Sequence, residues 1–157
     1  MGERIARRAE DAAPRRSSSY PEPFAAEVEG RVKWALGDLF GLDQYGVNLA
    51  ELPPGVKSSQ RHWHSAEDEF VYIIEGTPTL VTDAGEEVLA PGDCVGFKAG
   101  VADGHCLINR AAETVRYLEI GSRRVETDAV DYPDIDMRIE PEGTGKRGFR
   151  HRDGTPY

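Results

Sequence analysis

The sequence predicts an all-β domain, a sandwich or barrel of short strands. Two observations carry this. From Tyr45 onward, short runs rich in β-branched and aromatic residues recur with turn chemistry between them. Strand-length runs punctuated this closely argue against a βαβ fold, and nothing repeats at a fixed period. The runs fall at 45–52, 61–65, 69–74, 77–82, 86–89, 94–97, 105–109 and 115–120. Their separators include Pro53-Pro54-Gly55, Glu75-Gly76, Asp83-Ala84-Gly85, Pro91-Gly92-Asp93, Lys98-Ala99-Gly100 and Asp103-Gly104. Asp-Ala-Gly between two β-rich runs fits a tight hairpin turn.

The flanks read differently. Residues 1–19 are polar, rich in Arg, Ala and Ser, and aperiodic, so a disordered arm is expected there. Tyr20-Pro21-Glu22-Pro23-Phe24 opens the ordered part as an extended segment. Over 25–41 the signal is mixed, because Val32, Trp34 and Leu36 alternate while Ala25-Ala26 suits a short helix. Residues 122–140 are acidic and extended, with Asp128, Asp131, Asp134 and Asp136 around Tyr132-Pro133. The expected organisation is a domain over 20–140 and a Gly- and Arg-rich tail over 141–157. His151 lies in that tail, as an exposed bystander.

A length of 157 residues allows one domain with a real core. The net charge of −9 makes the chain a poor partner for nucleic acid, which binds by phosphate neutralisation. No apolar run is long enough to span a membrane. The basic N-terminal segment has no apolar stretch behind it and does not read as a secretory signal, so a cytoplasmic location is expected. The two cysteines, Cys94 and Cys106, have no metal-finger or CxxC spacing and are expected as buried free thiols.

The chemistry concentrates in three of the four histidines. His62 and His64 stand at i and i+2, so on a strand their imidazoles share a face and Trp63 points the other way. Glu69 begins the run Glu69-Phe70-Val71-Tyr72-Ile73-Ile74. Both faces of that run are apolar beyond Glu69, as in a sheet buried on both sides. A carboxylate buried there alone costs several kcal/mol, and coordination of a metal removes that penalty. Glu67 and Asp68 compete for the role, but they fall in a connecting loop where solvation is easy. His105 begins a later run and can approach the group if its face lines a barrel. An HxH pair alone is a weak sign of metal. The set His62, His64, Glu69 and His105, all near strand starts, is a much stronger one.

These residues resemble the two motifs of the cupin family. Gly55-x6-His62-x-His64-x4-Glu69-x6-Gly76 is similar to the first, with one extra residue before the histidine. The stretch from Gly92-Asp93 through His105-x3-Asn109 is similar to the second. Lys98 stands where the family usually has proline, and the spacing from Gly100 to His105 is two residues longer than the common form. The resemblance covers 45–121 and is to small single-domain (type 2) cupins. It implies a single jelly-roll β-barrel, often a homodimer. It also implies a three-histidine, one-glutamate metal site carried here by His62, His64, Glu69 and His105.

Such a ligand set suits one divalent transition metal, Fe, Mn, Ni, Co, Cu or Zn. The first expectation is a metal-dependent enzyme acting on a small organic molecule, of dioxygenase, isomerase, epimerase or lyase type. The alternative is a non-catalytic small-ligand-binding or sensor protein. No catalytic residue is assigned. Tyr72, Tyr117, Glu119, Arg61 and Asn109 are candidates to surround the metal, supported only by strand parity. The expected partner is a small-molecule substrate or ligand, with no nucleic acid and no membrane.

Overall fold

A computed structural model describes residues 5–141 and 148–157. Its strands are β1 (Pro14–Arg15), β2 (Val32–Ala35), β3 (Tyr45–Leu52), β4 (Trp63–His64), β5 (Glu69–Glu75), β6 (Thr79–Thr82) and β7 (Gly85–Val88). They continue as β8 (Cys94–Phe97), β9 (Cys106–Ile108), β10 (Val115–Ser122), β11 (Val130–Tyr132), β12 (Met137–Ile139) and β13 (Phe149–Arg150). Helical structure among the described residues is limited to short 3-10 turns, at Ala9–Asp11, Phe24–Val28 and Gly37–Phe40. No helix there is long and apolar enough to cross a membrane.

Three sheets form. A six-stranded sheet has the order β1-β2-β3-β10-β5-β8, a four-stranded one β13-β12-β11-β4, and a three-stranded one β7-β6-β9. Pairing is antiparallel throughout the large sheet. Its central ladder runs eight residues, from Val115 opposite Leu52 to Ser122 opposite Tyr45. A bulge between Arg116 and Tyr117 shifts the register of β10 against β5 and bends the sheet.

The all-β expectation holds, but the closed barrel does not form. Closure needs a ladder that runs on from the edge of the large sheet into the next one. Strand β8 is such an edge and pairs only with β5. Strands β4 and β9 are two and three residues long, too short to carry the ladder across. Single bridges, Lys57 with Ile108 and His62 with His105, tie the segment before β4 to β9 and its lead-in.

The core lies between the large and the three-stranded sheets. Leu52, Ile73, Val115 and Tyr117 meet Leu80 and Leu107 there. A second cluster, Val130, Tyr132, Met137 and Ile139, lies on β11 and β12 and takes Tyr20, Phe24 and Phe149 from the two ends of the chain. Gly76 turns the chain after β5 at φ +80°, and a Cβ there would stand 2.9 Å from Val115 Cγ2, so both backbone and space require glycine.

Three expectations are corrected. Strand β5 is buried on one face only: Val71 and Ile73 are 5% and 0% exposed, while Phe70, Tyr72 and Ile74 are 40%, 41% and 36% exposed. Apolar residues on both faces signal double burial only where a layer covers each face. Cys94 sits opposite Tyr72 and is exposed with it, so only Cys106 is a buried thiol. Within the arm expected to be disordered, β1 pairs with β2, Pro14 opposite Trp34. Residues 1–4 of that arm and 142–147 of the expected tail lie outside the described residues.

The face assignment gives a direct stability contrast. Ile73→Ala should destabilise by about 2–5 kcal/mol, because it opens a cavity in the core. Ile74→Ala should change stability by less than about 1 kcal/mol. Urea denaturation followed by circular dichroism reads both, and equal losses would contradict the one-sided burial of β5.

Candidate metal centre

Backbone pairing delivers the four residues to one place. His62 and His105 bridge each other, with N–H to O distances of 3.2 and 2.9 Å, so their rings become cross-strand neighbours with centroids 5.1 Å apart. His64 is held by β4 against Val130 of β11. Glu69 starts β5 with Phe97 opposite it on β8 and Gly121 opposite it on β10. Phe97 stacks on the His105 ring at 3.4 Å between centroids. The structure thus brings together His62, His64, Glu69 and His105. The isolated fourth histidine, His151, pairs with Asp136 instead.

One carboxylate oxygen faces all three imidazoles. Glu69 Oε2 lies 2.9 Å from His105 Nε2, 3.8 Å from His62 Nε2 and 4.0 Å from His64 Nε2. Ligands bound at about 2.0–2.2 Å to one ion stand roughly 3 Å or slightly more apart, so these distances lie at or somewhat above those that one shared ion requires. Two of the rings are already oriented for this. His62 Nδ1 is 2.9 Å from the Gln60 carbonyl oxygen, an acceptor only, so Nδ1 carries the proton and Nε2 the lone pair. His64 Nδ1 donates to Asp128 Oδ2 at 2.7 Å, with the same result. His105 Nδ1 is buried and has no hydrogen-bond partner, while its Nε2 points at Glu69. Three imidazole nitrogens and one carboxylate oxygen on these terms fit a divalent first-row transition ion.

The electrostatics follow from burial and pairing. Burial pushes His62 down to about 4, so its ring is neutral near pH 7. For His64, burial works against the charged form, but the Asp128 hydrogen bond and the charges of Glu69, Asp128 and Glu67 outweigh it and raise the pKa. Burial likewise opposes the charge on Glu69. The His105 hydrogen bond and the three nearby imidazoles overcome it and hold the carboxyl below its usual range.

Asp128 is the residue that sequence reasoning passed over. It is 0% exposed. Its Oδ1 accepts the backbone N–H of Ala66 at 2.9 Å and of Glu67 at 3.2 Å, while Oδ2 holds His64. The one available sign was position, since Asp128 directly precedes the apolar Ala129-Val130 and the other acids of the cluster follow. Glu67 is also corrected. It is drawn inward, its side chain only 14% exposed, with Oε1 accepting the Arg124 N–H at 2.6 Å and Oε2 3.9 Å from His64 Nδ1. His62, Glu69 and His105 form one group with ligand-type atoms close together, and His64, Glu67 and Asp128 form a second beside it. Because His64 Nδ1 and both Asp128 oxygens are committed to hydrogen bonds, this group is the support of the first.

The other candidates separate cleanly. Tyr72 is on the outer face of the large sheet. Asn109 is fully buried and donates to the Leu52 and Glu113 carbonyls at 2.8 Å each, a structural role. Arg61 forks onto Asp134 at 2.7 Å, pairs with Asp83 and donates to the Gly104 carbonyl at 3.1 Å, so it ties the residue before His62 to the residue before His105. A Cβ at Gly104 would stand 2.7 Å from Pro133 Cγ, which fixes glycine there. Tyr117 and Glu119 line a cavity of about 510 Å³ that opens over the histidines.

The His64 support is testable by itself. In Asp128→Asn, the amide oxygen can keep the two backbone N–H groups, but its NH₂ then faces His64 Nδ1 and moves the ring proton to Nε2. Metal affinity should fall about 10- to 100-fold with the circular dichroism spectrum unchanged. Competition against a coloured chelator measures it, and an unchanged affinity would remove Asp128 from the site.

Comparison with known proteins agrees with this geometry. Residues 48–121 match the cupin domain family. A sugar phosphate isomerase of the cupin superfamily from Silicibacter pomeroyi DSS-3 is 41% identical and superposes with a TM-score of 0.89, covering 94% of this chain and 93% of that one. A candidate sugar phosphate isomerase from Acidithiobacillus ferrooxidans ATCC 23270 is 35% identical, with a TM-score of 0.73 over 81% of this chain and 80% of that one. The polyketide cyclase RemF from Streptomyces resistomycificus, 23% identical with a TM-score of 0.59 over 78% and 80% of the two chains, shares the fold alone. No curated protein matches the chain significantly. Its paired motifs, its sheets and these relatives together make the chain a small single-domain member of the cupin superfamily.

Proposed function

We propose that this cupin is a metal-dependent isomerase of a phosphorylated sugar, with His62, His64, Glu69 and His105 holding the metal. The observation that carries the reading is the convergence of three Nε2 atoms on Glu69 Oε2 at the wall of a sugar-sized cavity. The sugar phosphate isomerase from Silicibacter pomeroyi, similar over nearly its whole length, supports the substrate class. The homodimer and the cytoplasmic location expected from the sequence are kept as part of this proposal.

A bound divalent ion would supply Lewis acidity toward a sugar carbonyl or hydroxyl oxygen. The chain's own residues supply the rest. Isomerisation moves a proton between neighbouring carbons and needs a base in reach of both. Glu119 is a carboxylate that lines the same cavity as the histidines. Lys33 Nζ holds it at 2.7 and 2.8 Å, and Asn48 Nδ2 donates to it at 3.2 Å, so its position is fixed. Glu119 is assigned as the group that takes and returns the proton. The Tyr117 hydroxyl, fully buried, is pushed well above the ordinary phenol pKa by burial and stays protonated. Protonated and buried, it cannot act as the base.

The test is turnover of aldose and ketose phosphates by metal-loaded protein, followed by NMR in D₂O. The wild type should interconvert an aldose–ketose pair and incorporate solvent deuterium at the carbon next to the carbonyl. Glu119→Gln should lower kcat about 10²- to 10⁴-fold with KM little changed. Tight binding of such compounds with no turnover by the wild type would replace the isomerase with a non-catalytic binding protein.

A further inference from the structure

The cavity is lined by four cations that differ in one respect. Lys33 is neutralised by Glu119, and Arg15 and Arg123 both pair with Asp38, at 2.8 and 2.6 Å. Arg31 has no carboxylate partner among the described residues. The one hydrogen bond of its guanidinium there is from Nη1 to the Ser58 carbonyl oxygen. It is half-buried, and it acts electrostatically on the hydroxyls of both Tyr20 and Tyr117, which line the same cavity. A guanidinium carries five N–H donors in a rigid fork, so donors remain beyond the one given to Ser58. Holding a cation half out of water without a counter-charge is unfavourable, and an anion arriving from outside relieves it.

Its position relative to the histidines is also defined. Arg31 grips Ser58, and the next residue, Ser59, places Oγ 3.3 Å from His62 Nδ1. The Ser58 and Ser59 hydroxyls are themselves 3.4 Å apart. The same short segment therefore fixes the guanidinium at one end and a metal-facing imidazole at the other.

We infer that Arg31 is the recognition site for the phosphate of the substrate, holding it by charge-assisted hydrogen bonds while the sugar reaches the histidine cluster. This rests on the isomerase reading for the identity of the substrate, but the anion site itself stands on Arg31 alone. Bidentate Arg–phosphate pairing makes the contact geometric as well as electrostatic, so a lysine replaces it only in part.

The experiment is calorimetric titration of the full-length protein with inorganic phosphate at fixed ionic strength. Wild type, Arg31→Gln, Arg31→Lys and the remote charge control Arg110→Gln are compared, each metal-loaded and after metal removal. Arg31→Gln should weaken phosphate binding at least tenfold, Arg31→Lys by less, and Arg110→Gln by no more than twofold. Wild-type binding should survive removal of the metal. Should Arg31→Gln not fold, a loss in folded Arg31→Lys beyond that of Arg110→Gln supports the site, and equality of the two overturns it. Binding that disappears with the metal, or is the same in Arg31→Gln as in wild type, overturns the inference. Phosphate binding that needs Arg31 in a protein that isomerises no sugar phosphate keeps the anion site and removes the isomerase. Turnover with an unchanged KM in Arg31→Gln does the reverse.

Discussion

Glu69 sets the terms for its surroundings, because it is a carboxylate at the wall of a cavity between sheets with its side chain only 17% exposed. Left alone there, a charged carboxylate costs several kcal/mol. The fold meets that cost by turning three imidazoles toward one of its oxygens, and the nearest of them, on His105, hydrogen-bonds to it. Burial keeps His62 neutral, and its proton is committed to a backbone carbonyl. The outcome is a negative oxygen with two lone-pair nitrogens and a third imidazole beside it. That arrangement balances a divalent cation better than it balances itself.

The rest of the molecule can be understood as what holds that cluster. The histidines do not rest on one rigid sheet. They come from short strands and their lead-ins at the junction of sheets that fail to close, where two isolated bridges, His62 with His105 and Lys57 with Ile108, stand in for a ladder. Junctions of this kind need side-chain ties. Arg61 links the residues just before the two bridged histidines, and Asp128 fixes the third histidine from a segment 64 residues away. Openness at the junction also leaves the cavity, so the same departure from closure that weakens the sheets makes room for a ligand.

Legibility in the sequence follows the range of the forces involved. Strands β3 and β8 were readable to the residue, because local alternation and Gly/Pro punctuation decide them. The shared face of His62 and His64 followed from strand parity, and Glu69 from the oddity of a carboxylate opening an apolar strand. Asp128 was not readable, since only the pairing of β4 with β11 tells it apart from Asp131, Asp134 and Asp136. Nor was the exposure of Phe70, Tyr72 and Ile74, which depends on which layers cover the large sheet. Pairing of β1 was hidden for another reason. Edge pairing uses backbone groups, and a polar arm with few apolar side chains gives no sign of it.

Metal stoichiometry and ligation test the central claim most directly. The measurement is elemental analysis of tag-free wild type, Glu69→Gln and Glu67→Gln after reconstitution and desalting, with X-ray absorption at the edge of the bound metal. The account predicts close to one transition ion per wild-type chain, a coordination shell containing three imidazoles, and a larger loss of metal in Glu69→Gln than in Glu67→Gln. Wild-type protein that retains no metal after exposure to each of the six ions, or a shell with fewer than three imidazoles, would contradict it.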